Sequence, residues 1–321
     1  MVGRMMLKVL EERNFPVDTL IPAASERSAG REVIFMGKPV KVVSVMEAVE
    51  AKPDVALFSA GAAVSREWAP VFAENGTVVI DNSSAWRMEK GIPLVVPEIN
   101  SAVITSEDKI IANPNCSTIQ MVVVLAALRT LAPITRVVVS TYQAASGAGQ
   151  AAMDELYAQT GDFLAGRPLA PQAFAHRIAF NCIPQIDVFL DDGSTKEEWK
   201  MVVETKKIMH QPDLQVAATC VRVPVLRCHS EALAIEFDGP APVDDARAIL
   251  ERSAGIAVLD DTEARSYPMP ALLEGTDDCY VGRLRTDPSV RHGLQLWIVA
   301  DQLRKGAALN TVQIAEALLG R

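Results

Sequence analysis

Cys116 sits in the run Ala112-Asn113-Pro114-Asn115-Cys116-Ser117-Thr118-Ile119-Gln120, where a β-rich segment meets a Pro/Asn turn and then an apolar helical run from Thr118 to Leu131. A thiol at that place lies at a helix N-terminus, where unpaired N–H groups and the helix dipole favour thiolate over thiol. It also lies at the carboxyl end of a buried strand, where open α/β sheets place their ligands. Both features point to a nucleophile. A small buried hydrophobe is the commoner fate of a free cysteine, and Cys182, Cys220, Cys228 and Cys279 are read that way.

A cysteine nucleophile works with an acid/base. His229, one of four histidines, opens the alternating run Cys228-His229-Ser230-Glu231 and is the candidate, against the plainer reading of a structural histidine at a strand edge. Arg222 precedes Val223-Pro224. Proline interrupts a ladder, so the chain is expected to bend between Arg222 and His229 and to bring the two side chains to one site. An arginine there holds a carboxylate through paired hydrogen bonds; the alternative is a surface arginine that ends a strand. Glu197 and Lys200 share one face of a helical stretch, and by themselves read as a solvated ion pair.

Two kinds of signal concern a dinucleotide. Ser25-Glu26-Arg27-Ser28 follows a β-rich run, and an arginine there accommodates a 2′-phosphate, so Arg27 and Ser28 point to NADP over NAD. Ser59-Ala60-Gly61 and Ser146-Gly147-Ala148-Gly149 are glycine-bearing turns after strands, able to approach a dinucleotide closely but weak as signals on their own.

The elements that must position these residues fall into two groups. Up to about residue 115, short β-rich runs (Thr19–Ala24, Asp54–Ala60, Thr77–Ile80, Leu94–Val96 and Lys109–Ala112) follow one another, the second and third almost continuously apolar, as strands buried on both faces of a parallel sheet are. From about residue 130 the runs lengthen: Arg136–Tyr142, Gln215–Val223, Glu231–Phe237, Cys279–Arg285 and Gly293–Val299. In the third of these, Leu233, Ile235 and Phe237 alternate with Ala232, Ala234 and Glu236, the pattern of a mostly antiparallel sheet with one face more buried. Leu309 to Leu319 repeats apolar residues at helical spacing. The chain opens on a helical pattern at Met5, Met6, Val9 and Leu10, without the strand and glycine-rich turn that normally begin a doubly wound nucleotide domain.

Composition narrows the classes. The 321 residues exceed one core and predict two domains. Lys and Arg number 31 against 40 Asp and Glu, a net charge of −9, which argues against nucleic acid or an anionic membrane as partner. The most apolar helical run, Ile119–Leu128, stops at Arg129, short of a bilayer span. Glu11 and Glu12 stand where a signal peptide needs an apolar run, and five scattered cysteines lack a C-x-x-C pair, so the expectation is a cytoplasmic protein with free thiols and no metal cluster.

With those residues in place, the chain resembles the aspartate-semialdehyde dehydrogenase family from Val2 to its C-terminal helix. The run Ala112 to Gln120 is similar to the family's nucleophile segment. Ser140-Thr141-Tyr142-Gln143-Ala144-Ala145-Ser146-Gly147-Ala148-Gly149 resembles its segment with a substrate-binding Gln and a cofactor-binding Ser-Gly, and Arg222 to Glu231 resembles its Arg-to-His segment. The resemblance implies a Rossmann-type α/β domain at 1–116, completed by 305–321 and lacking its first strand, and an α+β catalytic and dimerisation domain at 117–304. It implies Cys116 as nucleophile and His229 as acid/base, with Gln143 and Asn115 beside them. Arg222 would bind the substrate carboxylate, Glu197 its amino group, and Lys200 and Arg87 the phosphate. The cofactor would be NADP, held by Val2, Gly3, Arg27, Ser28, Ser59, Ala60, Gly61, Asn82, Ser146, Gly147 and Asn310. Of the family's opening glycine loop only Val2, Gly3 and Arg4 are found here. The implied activity is NADP-dependent interconversion of L-aspartyl 4-phosphate and L-aspartate 4-semialdehyde toward lysine, methionine and threonine, by a cytoplasmic homodimer. N-acetyl-gamma-glutamyl-phosphate reductase and a non-catalytic redox-sensing protein are the alternatives; Glu197 speaks against the first, because an acetylated nitrogen offers no ammonium.

Overall fold

The computed structural model describes residues 1–320. The chain forms two compact units, one of Val2–Pro114 together with the segment from Ala307 on, the other of Asn115–Gly306.

The first unit opens on α1 (Val2–Glu12). It continues through β1 (Ala23–Ala24), β2 (Glu32–Phe35), β3 (Lys38–Lys41), β4 (Val43–Ser44), α2 (Val45–Glu50), β5 (Val55–Phe58), α3 (Ala62–Glu74), β6 (Val78–Asp81), a short α4 (Pro97–Asn100) and β7 (Ile110–Ala112). β5, β6 and β7 form a three-stranded parallel sheet, and β1 and β4 pair in parallel as a separate two-stranded one. This is the Rossmann-like domain expected, with no strand joining the two sheets among the described residues. The run Leu94–Val96 is not a strand: Pro93 and Pro97 bracket it, and it makes one isolated bridge, Leu94 to Ala112. Only Ala23 and Ala24 of Thr19–Ala24 pair, because Pro22 removes a donor from the ladder. The β2–β3 hairpin carries no alternating apolar signal; its turn rests on Met36 and Gly37, both at positive φ (50° and 72°). The last helix, Leu309–Leu318, belongs to this unit. Its Leu309 and Val312 join Met6, Val9, Leu10 and Phe35 in one cluster, while Ile314 and Ala315 join Ile80, Val95 and Ile111 in another.

The second unit begins with α5 (Cys116–Leu128), β8 (Ile134–Gln143), α6 (Gln150–Leu164) and α7 (Lys196–Met209). β9 (Gln215–Arg222), β10 (His229–Phe237), α8 (Val243–Arg252), β11 (Ile256–Val258), α9 (Pro270–Leu273), β12 (Cys279–Thr286) and β13 (Gly293–Ala300) follow. Six strands make one mixed sheet in the order β11-β12-β13-β10-β8-β9, antiparallel in its middle three pairings and parallel in the two outer ones. Along β10, Leu233, Ile235 and Phe237 are buried and Ala232, Ala234 and Glu236 only partly so, as the alternation required. β10 lies between β13 and β8, so His229 begins a central strand and not an edge. Among the described residues no helix is long and apolar enough to cross a membrane.

Leu309 is 2% exposed. Leu309→Ala is expected to cost about 2–5 kcal/mol of unfolding free energy, read from urea denaturation, because the cluster it shares with α1 cannot close the cavity fully.

Candidate active site

Helix α5 starts at Cys116 itself, two residues before the start expected from its apolar run, because Asn115 is its N-cap. The Asn115 side-chain oxygen accepts hydrogen bonds from the backbone N–H groups of Ser117 (3.0 Å) and Thr118 (3.2 Å). Cys116, partly exposed, is thereby fixed as the first residue of the helix.

The cap is anchored in turn by two carboxylates of α7. Asn115 Nδ2 donates to Glu197 Oε1 at 2.9 Å, and the Asn115 backbone N–H donates to Glu204 Oε2 at 2.6 Å. Both glutamates are buried. α7 owes its start to a capping box in which the Thr195 and Glu198 side chains each bond the other's backbone N–H. Glu204 follows Glu197 by seven residues, two turns along the same helix face. That spacing was the available sign of its role, although nothing in the sequence joined it to a residue some ninety positions earlier.

Glu197 gathers further donors. Gln143 Nε2, at the end of β8, reaches its Oε1 at 3.3 Å, and Lys200 Nζ reaches its Oε2 at 3.1 Å. Burial works to raise the Glu197 carboxyl, but the Lys200 charge and the hydrogen bonds from Asn115, Lys200 and Gln143 outweigh it, and the group is held below the ordinary range, ionised. Lys200 is also paired with Asp187, at 2.8 Å. Burial pulls its ammonium down, and the two carboxylates more than restore it. The pair expected on a solvated helix face is therefore a buried carboxylate with a half-buried ammonium, which an exposed second carboxylate, Asp187, also engages.

Arg222 and His229 do come together, through the backbone of Ala144. Arg222 Nη1 donates to the Ala144 carbonyl at 2.6 Å, and the Ala144 N–H donates to His229 Nδ1 at 3.0 Å. An added Cβ on Gly147 would lie 2.8 Å from Arg222 Nη1 and 2.9 Å from His229 Cε1, so that glycine touches both. Pro224 lies in the loop between β9 and β10, as the bend required. His229 is fully buried, and burial, reinforced by the Arg222 charge, holds its imidazole well below the usual value and therefore neutral. Because Nδ1 accepts a hydrogen bond, the proton of the neutral ring is on Nε2, which has no protein partner. Burial likewise lowers the Arg222 guanidinium, opposed by the charge of Glu197 and by that of Cys116, which lies within electrostatic reach of it.

Two more contacts lay beyond sequence reading. An added Cβ on Gly306 would sit 2.7 Å from Cys116 Cβ. Gln302 accepts from the Cys228 N–H at 2.9 Å and donates to the Ser146 hydroxyl, tying the residue before His229 to the Ser-Gly turn. Of the remaining thiols, Cys220, Cys228 and Cys279 are buried as expected, burial pushing Cys228 up to about 12 and raising Cys220 further, whereas Cys182 is exposed and is not the buried residue expected.

In the first unit, Val2 and Gly3 open α1, and an added Cβ on Gly3 would lie 3.6 Å from Ser59 Oγ, which sets the Ser59-Ala60-Gly61 turn against the helix start. Gly61, at φ +90°, is the N-cap of α3 and provides no side-chain cap. Asn82 donates to the Phe58 carbonyl at 3.0 Å and accepts from Thr311 at 2.9 Å. Asn310 is fully buried and donates to the Val95 carbonyl and Asn113 Oδ1. Arg87, also buried, donates to the carbonyls of Asn113 and Asn82, each at 2.9 Å. Arg27 and Ser28 lie on the loop after β1, where Ser25, Glu26 and Arg27 line an open groove of about 430 Å³.

Two family models match the chain, the semialdehyde dehydrogenase NAD binding domain at residues 1–107 and the semialdehyde dehydrogenase dimerisation domain at 125–305. The aspartate-semialdehyde dehydrogenase of Aquifex aeolicus is 53% identical across 99% of this chain and 95% of its own length. The chain belongs to the aspartate-semialdehyde dehydrogenase family. The Bacillus subtilis member is 50% identical over 99% of this chain and 94% of its own. Among solved structures, aspartate semialdehyde dehydrogenase II of Vibrio cholerae, also solved in complex with ASA, superposes with a TM-score of 0.96 at 49% identity, covering 99% of this chain and 95% of that one. The Candida albicans aspartate semialdehyde dehydrogenase with NADP superposes at 0.76 and 25% identity, over 99% and 95% of the two chains. Family membership makes the chain an oxidoreductase of amino-acid biosynthesis.

Gly147→Ala forces either Arg222 or His229 to move, and Gly306→Ala presses on Cys116. Each is expected to lower kcat/KM in the family's reaction by about tenfold or more, equivalent to about 1.4 kcal/mol of transition-state stabilisation, with the thermal transition largely kept.

Proposed function

We propose that the protein catalyses the NADP-dependent, phosphate-linked interconversion of L-aspartyl 4-phosphate and L-aspartate 4-semialdehyde through a thioester on Cys116, a step toward lysine, methionine and threonine. The observation that carries this reading is the convergence of Arg222 and a neutral His229 on Ala144 and Gly147, which leaves the His229 Nε2–H without a protein acceptor, with Cys116 fixed at the start of α5 by a buried, ionised Glu197.

In the biosynthetic direction the Cys116 thiolate, favoured by its helix position and by the Arg222 charge, attacks the acyl carbon. The His229 Nε2–H donates a hydrogen bond to the carbonyl oxygen as it gains charge. The C–O bond to phosphate breaks, and the leaving group, with Lys200 and Arg87 as its cations, takes up a proton. When bound, the dinucleotide supplies the hydride that the thioester carbon accepts. The resulting oxyanion faces the same N–H and collapses, breaking the C–S bond to release the aldehyde and restore the thiolate. Arg222 binds the substrate α-carboxylate. Glu197 binds its ammonium, and the surplus negative charge of Glu197, Asp187 and Lys200 favours that cation over an acetylated nitrogen.

The residues of the first unit fit a dinucleotide. The open groove beside Arg27 and Ser28 suits a 2′-phosphate, and the helix starts at Val2-Gly3 and Gly61 offer backbone N–H groups to a pyrophosphate, with Ser59, Ala60, Asn82 and Asn310 supporting that surface. The dimerisation-domain match supports a homodimer, and the acidic balance supports a cytoplasmic protein without nucleic-acid or membrane partners.

Phosphate-dependent reduction of NADP by aspartate semialdehyde tests the reading. Cys116→Ser is expected to abolish turnover, and His229→Ala to lower it by roughly 10²-fold or more with folding intact. Arg27→Ala is expected to raise KM for NADP and leave that for NAD unchanged. Near-normal turnover in Cys116→Ser overturns the mechanism.

A further inference from the structure

The second unit holds a buried carboxyl group, Glu231, to which the reaction above gives no part and which lacks the hydrogen bonds that serve the buried Glu155, Glu204 and Asp301. Glu231 stands two residues beyond His229 on β10, so its side chain lies on the same face of the sheet. It is 0% exposed, and neither carboxyl oxygen has a hydrogen-bond partner. Gln120, 1% exposed, is equally without a bond of normal geometry at either amide atom. Gln120 stands four residues after Cys116, one turn along α5 and on the same side of it. Helix and strand therefore place two unsatisfied polar groups one layer below the nucleophile and the imidazole.

The surroundings decide the charge of that layer. Across the sheet, Glu231 is opposite Thr141 of β8 and Ile298 of β13. Cys220 of β9, opposite Thr141, is the titratable group beyond β8, and His229, neutral, is the one on its own strand. From α5 the group facing it is the Gln120 amide. None of these is a cation, and an ionised carboxylate buried without a counter-charge or a hydrogen bond is very costly. Burial accordingly pushes the Glu231 carboxyl well above the ordinary range. As an acid it has an O–H to donate, and the Gln120 amide carbonyl is the acceptor that faces it.

We propose that Glu231 is a positioning residue, held as an uncharged carboxylic acid that pairs with Gln120 and so ties the strand bearing His229 to the helix bearing Cys116. Its neutrality also keeps a negative charge away from a centre that must hold a thiolate and two successive oxyanions. The protonation state stands on burial alone; the kinetic consequence rests on the roles proposed for Cys116 and His229.

Thermal unfolding of the full chain and of Glu231→Gln across a pH series tests the first part. In the unfolded chain this carboxyl titrates near 4.3, and in the folded one far higher, so its contribution to stability is full below the unfolded value and is lost as pH rises toward the folded one. The glutamine variant lacks that loss. Its transition temperature, relative to the parent, is expected to climb steadily from about pH 5 to about pH 9; a difference independent of pH overturns the protonated acid. For the second part, Glu231→Gln is expected to keep kcat within about threefold, whereas Glu231→Leu and Gln120→Met lower it by about tenfold with KM for phosphate little changed. A glutamine variant as impaired as the leucine one, or a Gln120→Met enzyme with parental kcat, overturns the positioning role. If Glu231→Leu does not fold, the glutamine and Gln120→Met measurements still decide. Turnover that survives Cys116→Ser would sink the active-site reading and leave the pH–stability result standing.

Discussion

Glu197 is a carboxylate removed from water, and most of the second unit's polar geometry follows from what that requires. A buried anion persists only where donors surround it. Here the donors come from three directions: Asn115 at the head of α5, Gln143 at the end of β8, and Lys200 one turn along α7. Each brings a piece of chemistry with it. Asn115 carries Cys116 on its C-terminal side, Gln143 adjoins Ala144, whose backbone carbonyl and N–H serve Arg222 and His229, and Lys200 brings in Asp187. Satisfying one charge thus gathers the nucleophile and its neighbours. Since the charge also suits an ammonium, the group that organises the centre is, in the function proposed, the one that meets the substrate's amino group.

The imidazole shows the opposite solution to burial. Where Glu197 keeps its charge by collecting partners, His229 gives up its charge, because burial disfavours the cation and the nearby Arg222 charge adds to that. A backbone N–H then fixes which nitrogen bears the proton. Charge placement is economical as a result: the cation near the thiol is Arg222, whose protonation does not change with pH in the working range, and the imidazole contributes a directed N–H.

The sequence made part of this visible. Cys116 and His229 could be singled out because cysteine and histidine are scarce, and Cys116 and Arg222 because each stands two residues from a proline, Pro114 or Pro224, that re-aims the chain. The division into a parallel and a mixed sheet was legible from continuous against alternating apolar runs. Boundaries were less so. Leu94–Val96 is as apolar as a strand, but the prolines on both sides leave it one bridge, and the Glu32–Lys41 hairpin has charged residues where an apolar face would announce it. The fixing contacts of Glu204 and Gly306 were not legible, because each acts on residues roughly ninety or more positions away and depends on packing that no local pattern encodes. The helix pair Glu197 and Lys200 looked solvated for the same reason: a periodicity reports a face, not what covers it.

One residue, Ala144, accepts from Arg222 through its carbonyl and gives its N–H to His229, the two groups lying in the successive peptide units that meet at its Cα. The Ala144 side chain plays no part in either bond, so no substitution there can strengthen one and spare the other. Any backbone adjustment that loosened the arginine would turn the imidazole with it. In the function proposed, anchoring of the substrate's inert end and stabilisation of its reacting end are then mechanically coupled, and a lineage seeking to accept a longer acid would have to move both together or rebuild the loop from Gln143 to Gly149.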